Sequence, residues 1–321
     1  MVSLQSRLLS LLLRWRFKHR PAQDEVEFVR VARSLMNDPR RIPKSTPPDI
    51  SLTEVERGGV RGEWIEPANS KPETTIIYFH GGGYIGGSVK TYRRTTFALS
   101  RAASARVFAV EYRLAPEHRF PCAVEDGLAA YRYVLEEEGS ADRVAFVGDS
   151  AGGGLLLATM LAAREEKIDL PAAGVCYSPF TDLAATGGSL DANNRRCVMF
   201  YGDTLRHVAK IYLGPAEALN VLASPLYADL AGLPPLQIFA STSETLLDDS
   251  LRLAEKAKSD GVVVDMQVWG NLPHVWPIFA GQLPEARKAL QLTSRFIENA
   301  LVNSTLFCKV IRGANRRSLR G

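Results

Sequence analysis

The sequence predicts an α/β protein with a mostly parallel central sheet that is flanked by helices. The chain of 321 residues is 46% hydrophobic and 23% charged, so it has enough apolar material for a large buried core. From residue 50 onwards, short apolar runs alternate with segments of helical periodicity, as expected when helices connect parallel strands. Most of these runs are rich in Val, Ile, Phe and Ala, which is typical of strands that are buried on both faces.

The N-terminal segment, residues 1–48, precedes this alternation. It predicts helices followed by a basic, proline-rich loop, and its first helix carries an apolar stripe. Two interpretations of that helix stay open: it packs on its own protein, which is the more common role, or it lies on a membrane surface. The stripe consists of Leu4, Leu8, Leu11, Leu12 and Trp15.

The body of the chain begins with a hairpin around Gly58 and Gly59 and continues with alternating strands and helices. The predicted strands are 50–57, 60–65, 74–79, 107–111, 143–147, 172–177, 235–240 and 262–268. The predicted helices are 91–104, 122–138, 152–166, 247–260 and 284–301.

Residues 183–234 interrupt this rhythm with Gly, Asn and Pro and with one helical stretch around 203–212. We interpret them as an insertion above the sheet. The expected organisation is a single domain, residues 1–321, in which residues 1–48 and roughly 183–234 form a cap. The catalytic core would comprise roughly residues 50–182 and 235–301.

The net charge of +4 comes from the two ends of the chain. Residues 1–20 and residues 309–321 each carry five Arg or Lys and no acidic residue. The body contains neither a basic patch nor a known nucleic-acid-binding module, so no nucleic-acid partner is expected. The four cysteines form no C-x-x-C pair, which gives no support to a metal or dithiol site.

The apolar runs fall well short of the roughly 18 residues that a membrane-spanning helix needs, so stable membrane insertion is not expected. The N-terminus also lacks the order of charge, apolar core and small-residue cleavage site that marks a secretory signal. The sequence therefore predicts a cytoplasmic location.

The strongest local motif is GDSAG at residues 148–152, between a predicted strand and a predicted helix. The pattern G-x-S-x-G in this context indicates a sharp, strained turn that exposes a serine hydroxyl at the edge of the sheet. The helix N-terminus behind the turn contributes partial positive charge and free N–H groups. Ser150 is therefore the predicted nucleophile.

A second motif, HGGG at residues 80–83, directly follows a predicted strand. Glycines expose backbone N–H groups that stabilise the oxyanion formed in acyl transfer. The predicted donors are Gly82, Gly83 and Ala151. The same loop matches G-x-G-x-x-G by letter, but no clear acidic partner for a ribose follows about 20 residues later, so a dinucleotide site is not expected.

A serine hydroxyl needs a general base, and His274 is the best candidate because it lies in the loop after the last predicted strand. In hydrolases of this type the chain order is serine, acid, histidine. Glu244 lies just past the strand 235–240 and is the favoured acid. Asp248, in the first turn of the next helix, stays open as the alternative.

Together these motifs resemble the hormone-sensitive-lipase-like branch of the α/β-hydrolase family, over roughly residues 60–300. YRLAPE at 112–117 and SPFTD at 178–182 match further motifs of that branch. Many members have D-P-L-x-D where this chain has ETLLD at 244–248, and the alignment puts Glu244 in place of the triad aspartate. The LLDD variant is similar to bacterial esterases and to lactone hydrolases of the monoterpene ε-lactone type.

The resemblance implies a serine carboxylic-ester hydrolase that acts on small-molecule esters with short to medium acyl chains and needs no metal or organic cofactor. A lactone hydrolase, an amidase and a non-catalytic ligand-binding protein are the alternatives on the same fold. A true lipase on long acyl chains is another, and an exposed apolar N-terminal helix would favour it. A homodimer through the strand 262–268 is a further expectation, because unpaired strand edges invite pairing. The candidate contacts of the acyl pocket are Tyr84, Phe180, Phe200, Tyr201 and Trp276, and for each of them a position in the core stays open as the alternative.

Overall fold

An eight-stranded sheet forms the centre of the protein. The computed structural model describes residues 2–19, 22, 24–71 and 74–318, with side chains as far as residue 304. The basic side chains noted in residues 309–321, together with Arg20, lie outside the described residues.

The sheet has the strand order β1-β2-β4-β3-β5-β6-β7-β8, in which β1 and β2 run antiparallel to their neighbours and the others are parallel. This confirms the predicted fold class, and every strand lies within two residues of its predicted bounds. The strands are β1 (Ile50–Arg57), β2 (Val60–Pro67), β3 (Thr75–Phe79), β4 (Arg106–Val110), β5 (Val144–Asp149), β6 (Ala173–Tyr177), β7 (Leu236–Ser241) and β8 (Val264–Trp269).

Helices cover both faces of this sheet. The α-helices are α1 (Leu4–Phe17), α2 (Glu25–Met36), α3 (Val89–Ala103), α4 (Cys122–Glu138), α5 (Ala151–Glu165), α6 (Ser189–Ala192), α7 (Gly202–Leu213), α8 (Leu247–Ser259) and α9 (Pro284–Ser318). Short 3-10 helices lie at Pro39–Arg41, Ala141–Arg143, Pro225–Tyr227 and Trp276–Phe279. The last helix extends past its predicted end at residue 301, because no proline or glycine interrupts the sequence before Gly313.

The core consists of two apolar clusters, one on each face of the sheet. Alternate residues of β3 belong to different clusters: Ile77 and Phe79 pack on one side, and Ile76 and Tyr78 pack on the other. All five residues of β3 are buried, which explains why its sequence shows no polar alternation. The parallel strands therefore end together at one sheet edge, where the loops that follow them meet.

The apolar stripe of α1 does not pack on the protein, which is the more common of the two roles considered for it. Leu13 and Ser6 face the protein, whereas the predicted apolar stripe faces outward, with Leu4 69% and Trp15 76% exposed. At the helix start Ser3 donates two hydrogen bonds to the Glu285 carboxylate, with distances of 2.7 and 2.9 Å, and these bonds help to hold α1 in this orientation. Among the residues that the structure describes, no helix is long and apolar enough to cross a bilayer.

Candidate active site

Ser150 occupies the turn between β5 and α5 with φ +53° and ψ −120°. A non-glycine residue in this region is strained, and such strain persists only where the surroundings fix it. Here the Ser150 N–H donates to the Tyr177 carbonyl at 2.9 Å, and the Ser150 carbonyl accepts from Phe180 N–H at 2.9 Å. At Gly152, a Cβ would lie 2.0 Å from the Phe79 carbonyl oxygen. Strand β3 and helix α5 therefore approach this closely only because residue 152 is glycine.

Ser150, His274 and Glu244 form one chain of hydrogen bonds. The Ser150 Oγ lies 3.0 Å from His274 Nε2, and His274 Nδ1 lies 2.5 Å from Glu244 Oε2. His274 comes from the loop after β8 and is 2% exposed, and Glu244 follows β7 and is fully buried. The structure therefore brings together three residues that are far apart in sequence, at the carboxyl ends of the parallel strands.

The other carboxylate oxygen of Glu244 is also fixed. Its Oε1 accepts from Ser241 N–H at 2.6 Å and from Ser178 Oγ at 3.0 Å. Ser178 Oγ in turn accepts from Val275 N–H at 3.1 Å, next to the histidine. Sequence analysis missed this role of Ser178, although the residue opens the SPFTD motif directly after β6, at the same sheet edge.

Asp248, the alternative acid, lies outside this chain. Its Oδ2 accepts from Ser189 N–H at 2.8 Å, and its own N–H donates to Ser189 Oγ at 2.9 Å. These bonds tie the start of α8 to α6. Asp248 therefore has a partner of its own, and of the two carboxylates it is Glu244 that contacts His274.

The glycine loop after β3 lies beside the serine, and Gly82 and Gly83 line the same cavity as Ser150. Gly82 has φ +122°, and a Cβ there would lie 2.0 Å from the Gly86 carbonyl oxygen, so only glycine fits the turn. Within the described part of the chain, the N–H groups of Gly82, Gly83 and Ala151 donate to no acceptor. All three predicted donors thus lack a partner among the described residues, and two of them, Gly82 and Gly83, line the cavity.

A buried carboxylate holds this loop. Asp149 Oδ1 accepts from Tyr78 Oη at 2.7 Å and from Gly81 N–H at 3.0 Å, and its Oδ2 accepts from Tyr92 Oη at 3.0 Å. Burial raises the pKa of Asp149, and the donated hydrogen bonds oppose that rise. Because Asp149 directly precedes Ser150, it ties the glycine loop to the serine turn.

We expect Asp149→Ala to lower the free energy of unfolding by about 3 kcal/mol or more, because three buried donors lose their acceptor. Tyr92→Phe removes one donor only and should cost about 1 kcal/mol. Urea unfolding followed by circular dichroism measures both. Equal losses in the two variants would contradict this account of Asp149.

His80 is no candidate for the general base, although it opens the glycine loop. It is buried, and its ring stacks on Tyr112 with centroids 4.3 Å apart. Burial lowers the pKa of His80 to about 4, so the imidazole stays neutral near pH 7. Its Nδ1 lies 2.8 Å from the Gly81 carbonyl, which gives the ring a structural role in the loop.

A mostly apolar cavity of about 450 Å³ opens above Ser150 and His274. Residues 1–48 and 183–234 supply a large part of its wall, as do residues of the core. Of the five predicted pocket contacts, Phe180 and Phe200 line the cavity. From the N-terminal segment and the insertion come Leu9, Leu13, Arg16, Phe17, His19, Ala22, Phe28, Val31, Ala32, Leu35, Met36, Arg41, Met199, Phe200, Thr204, Leu205 and Val208.

The other three predicted contacts do not line this cavity. Tyr84 is buried and stacks on Tyr212 with centroids 3.8 Å apart. Trp276 is fully buried against Trp269, at 4.7 Å between centroids. Tyr201 lies beside the Lys18 ammonium, 4.6 Å from the ring centroid. Each of these rings belongs to a segment that contributes to the site. The sequence could not specify in which direction the side chain points.

Arg33 anchors α2, one wall of the cavity, to the glycine loop. Its guanidinium donates to the Ile85 carbonyl at 2.7 Å and to the Ala115 carbonyl at 2.9 Å. It also forms a two-pronged ion pair with the Glu117 carboxylate, at 2.7 and 2.5 Å. The hydrogen bond from Arg33 lowers the pKa of Glu117 to about 2.

Because this pKa is depressed on folding, the pair stabilises the protein above pH 4.5, the ordinary value for the carboxyl, and this contribution is lost as the pH falls towards 2. We expect Glu117→Gln to lower the free energy of unfolding at pH 7 by about 0.5–1 kcal/mol, since the Glu117 side chain is 56% exposed and solvent screens the pair. Urea unfolding at a series of pH values should show the difference from wild type shrinking below pH 4.5. The exposed Glu136→Gln is the control, and a difference that does not change with pH would contradict the prediction.

Comparison with known proteins decides the family. The family profile described as the alpha/beta hydrolase fold matches residues 76–278. The chain belongs to this family. A crystal structure of an esterase from the bacterial hormone-sensitive lipase family superposes with a TM-score of 0.85 at 38% identity, covering 94% of this chain and 99% of that one. The resemblance that the motifs indicate is therefore confirmed.

Relatives within the family are ester hydrolases by name. An acetyl-hydrolase of Streptomyces hygroscopicus is 41% identical over 246 residues, which cover 77% of this chain and 82% of the relative. An esterase of Acinetobacter venetianus is 31% identical over 250 residues, covering 78% and 82%. The family and these relatives support carboxylic-ester hydrolysis as the activity. This is the activity that the sequence predicts.

Proposed function

We propose that this α/β-hydrolase cleaves esters of short to medium acyl chains with Ser150 as nucleophile, His274 as general base and Glu244 as the acid that orients it. The observation that carries the proposal is the hydrogen-bond chain from Ser150 through His274 to Glu244 at the floor of an apolar cavity. A serine, a base and an orienting carboxylate in this order are recognised by geometry and by role.

In the first step His274 Nε2 takes the proton of Ser150 Oγ while the oxygen attacks the ester carbonyl carbon. The carbonyl oxygen becomes an oxyanion, and the N–H groups of Gly82, Gly83 and Ala151 are the donors that we assign to it. Their number and their lack of acceptors within the described residues support this assignment. The fixed glycine loop means that the donors need little reorganisation during the reaction.

In the second step the imidazolium gives its proton to the leaving alcohol, and the acyl-enzyme remains. Water then attacks the carbonyl carbon of this ester while His274 Nε2 takes a proton from the water. The bond to Ser150 Oγ breaks, the carboxylic acid leaves, and the imidazolium returns the proton to Ser150 Oγ. Glu244 keeps the proton of His274 on Nδ1, so that Nε2 faces Ser150 as an acceptor. The buried setting of Glu244 and its bonds from Ser178 and Ser241 support this role, because they fix the carboxylate in one position.

The cavity supports an apolar acyl or alkoxy group as the bound part of the substrate. Its volume falls within the usual range for small-molecule sites, and the apolar wall from residues 1–48 and 183–234 supports the proposal that these segments act as a cap. Phe200 packs edge-on against the His274 ring, with centroids 4.9 Å apart, so the acyl pocket begins directly at the base.

Steady-state hydrolysis of p-nitrophenyl esters from acetate to palmitate tests the acyl range. We expect kcat/KM to be highest for butyrate to octanoate and to fall for the long chains. Val31→Trp, which adds bulk to the cavity wall on α2, should lower kcat/KM for the longest accepted ester by about tenfold or more and leave acetate within about twofold. The control is Val26→Trp on the same helix, at a position that is exposed and lies outside the cavity.

Rates on matched lactones and amides separate the alternatives on the same residues. A lactone or amide with a higher kcat/KM than every linear ester would replace the proposed substrate class. Binding of the ester without turnover would instead indicate a ligand-binding protein. The cytoplasmic location stays a prediction. The homodimer also stays a prediction, and the position of β8 at one edge of the sheet is compatible with it.

A further inference from the structure

Helix α1 has two apolar faces with different surroundings. Its inner face, with Leu9, Leu13 and Phe17, lines the cavity above Ser150. Its outer face exposes five large side chains at the spacing i, i+4, i+7, i+8 and i+11, which is one continuous stripe on a helix. The exposed fractions are 69% for Leu4, 58% for Leu8, 65% for Leu11, 54% for Leu12 and 76% for Trp15.

Polar contacts at both ends hold α1 with this stripe outward. Ser3 bonds to Glu285 at the N-terminal end. At the C-terminal end Arg16 pairs with Asp38, and the Lys18 ammonium donates to the carbonyls of Asn194 and Cys197. Single exposed apolar residues are normal, but a contiguous apolar patch on a fixed helix indicates an interaction surface.

Basic side chains border the stripe. Residues 1–23 contain no acidic residue, and Arg7 and Arg14 are exposed on α1. Arg14 donates to the Arg195 carbonyl at 3.0 Å, which places the exposed Arg195 beside the helix. Two carboxylates contact this N-terminal segment, and both already have partners. Asp38 is paired with Arg16 and Arg40, and Glu285 accepts hydrogen bonds from Ser3.

We propose that the outer face of α1 docks on the surface of an anionic lipid bilayer. The leucines and Trp15 would enter the boundary between headgroups and acyl chains, and the bordering arginines would meet lipid phosphates. The charge favours lipid over a second copy of the chain, because a symmetric dimer through this face would bring two arginine-bordered surfaces together. A surface helix of this kind binds reversibly and lies in the plane of the interface.

Docking would also place the cavity at the lipid boundary, because the inner face of the same helix lines it. If the proposed esterase function holds, this position favours acyl esters that partition into membranes, and this part of the inference rests on that function. The docking itself does not, so it is measured without turnover.

Flotation of the full chain with vesicles tests the proposal. We expect wild type to float with phosphatidylglycerol vesicles, to float less with phosphatidylcholine, and to be released as salt is raised. The triple variant Leu8→Gln, Leu11→Gln and Leu12→Gln should lower the partition coefficient by at least about tenfold. A matched variant, Leu219→Gln, Val263→Gln and Val302→Gln, changes three exposed apolar residues elsewhere and should float like wild type.

Trp15 gives a second readout, since its fluorescence should shift to shorter wavelength on the anionic vesicles and the shift should vanish in Trp15→Phe. Wild type that does not float, or a triple variant that floats like wild type, would overturn the proposal. So would a solution-scattering mass that is halved by the triple variant, which would show that a second copy covers the face. Hydrolysis of a soluble acetate ester, measured in parallel on the triple variant, should stay unchanged and keeps failure of docking distinct from failure of the esterase.

Discussion

Replacing Ser150 by alanine should lower kcat for p-nitrophenyl butyrate by at least about 10⁴-fold, because no other hydroxyl takes the place of Ser150 Oγ next to His274 Nε2. The free energy of unfolding should change little. The variant loses only the contact of Oγ with His274, and the backbone bonds of Ser150 that hold the turn remain. The residual rate would come from the N–H donors and from substrate binding. Steady-state kinetics and thermal unfolding measure the two effects separately.

A fluorophosphonate reagent makes this test independent of the substrate, because it bonds covalently to an activated serine. Intact mass should show one adduct on wild type and none on Ser150→Ala. The control is Ser34→Ala, which removes an exposed serine hydroxyl on α2 and should match wild type in both rate and labelling. If Ser150→Ala kept the wild-type rate or still took up the reagent, another residue would have to be the nucleophile.

The strands and the serine turn could be predicted from the sequence because their signals are local. A run such as β3 is buried on both faces and shows this in five consecutive apolar or β-branched residues. The GDSAG turn carries its small residues at fixed positions, and the structure gives the reason at Gly152, where the Phe79 carbonyl leaves no room for a Cβ. Each of these signals can be read from a few consecutive residues, although the contact behind it, such as that of Gly152 with Phe79 on β3, comes from a distant part of the chain.

The contacts around the site depend on distant partners, and here prediction was weaker. The position just past β7 favours Glu244 but leaves Asp248 open, since both lie near the start of α8. The contact that separates them is distant in sequence, because Asp248 accepts from the Ser189 N–H. The orientation of α1 depends on contacts such as the bonds of Ser3 to Glu285, 282 residues away along the chain. Helical periodicity shows that a stripe exists but not which surface it faces.

Exchanging the acid for its amide should have the second large effect: Glu244→Gln should lower kcat/KM by about 10³–10⁴-fold. The reason lies in the two bonds of the carboxylate. Its Oε1 accepts from Ser241 N–H, so the glutamine carbonyl must take that position and the NH₂ group must face His274 Nδ1. The imidazole would then carry its proton on Nε2, where it cannot accept the proton of Ser150.

Asp248→Asn is the matched control, because it makes the same change in the alternative acid and keeps an oxygen for Ser189 N–H. We expect it to stay within about tenfold of wild type. Glu244→Asp should fall between wild type and Glu244→Gln, since it keeps the charge but shortens the reach to His274. If Asp248→Asn lost as much activity as Glu244→Gln, the acid would have to be reassigned. If Glu244→Asp and Glu244→Gln were equally slow, distance rather than charge and tautomer would limit the reaction.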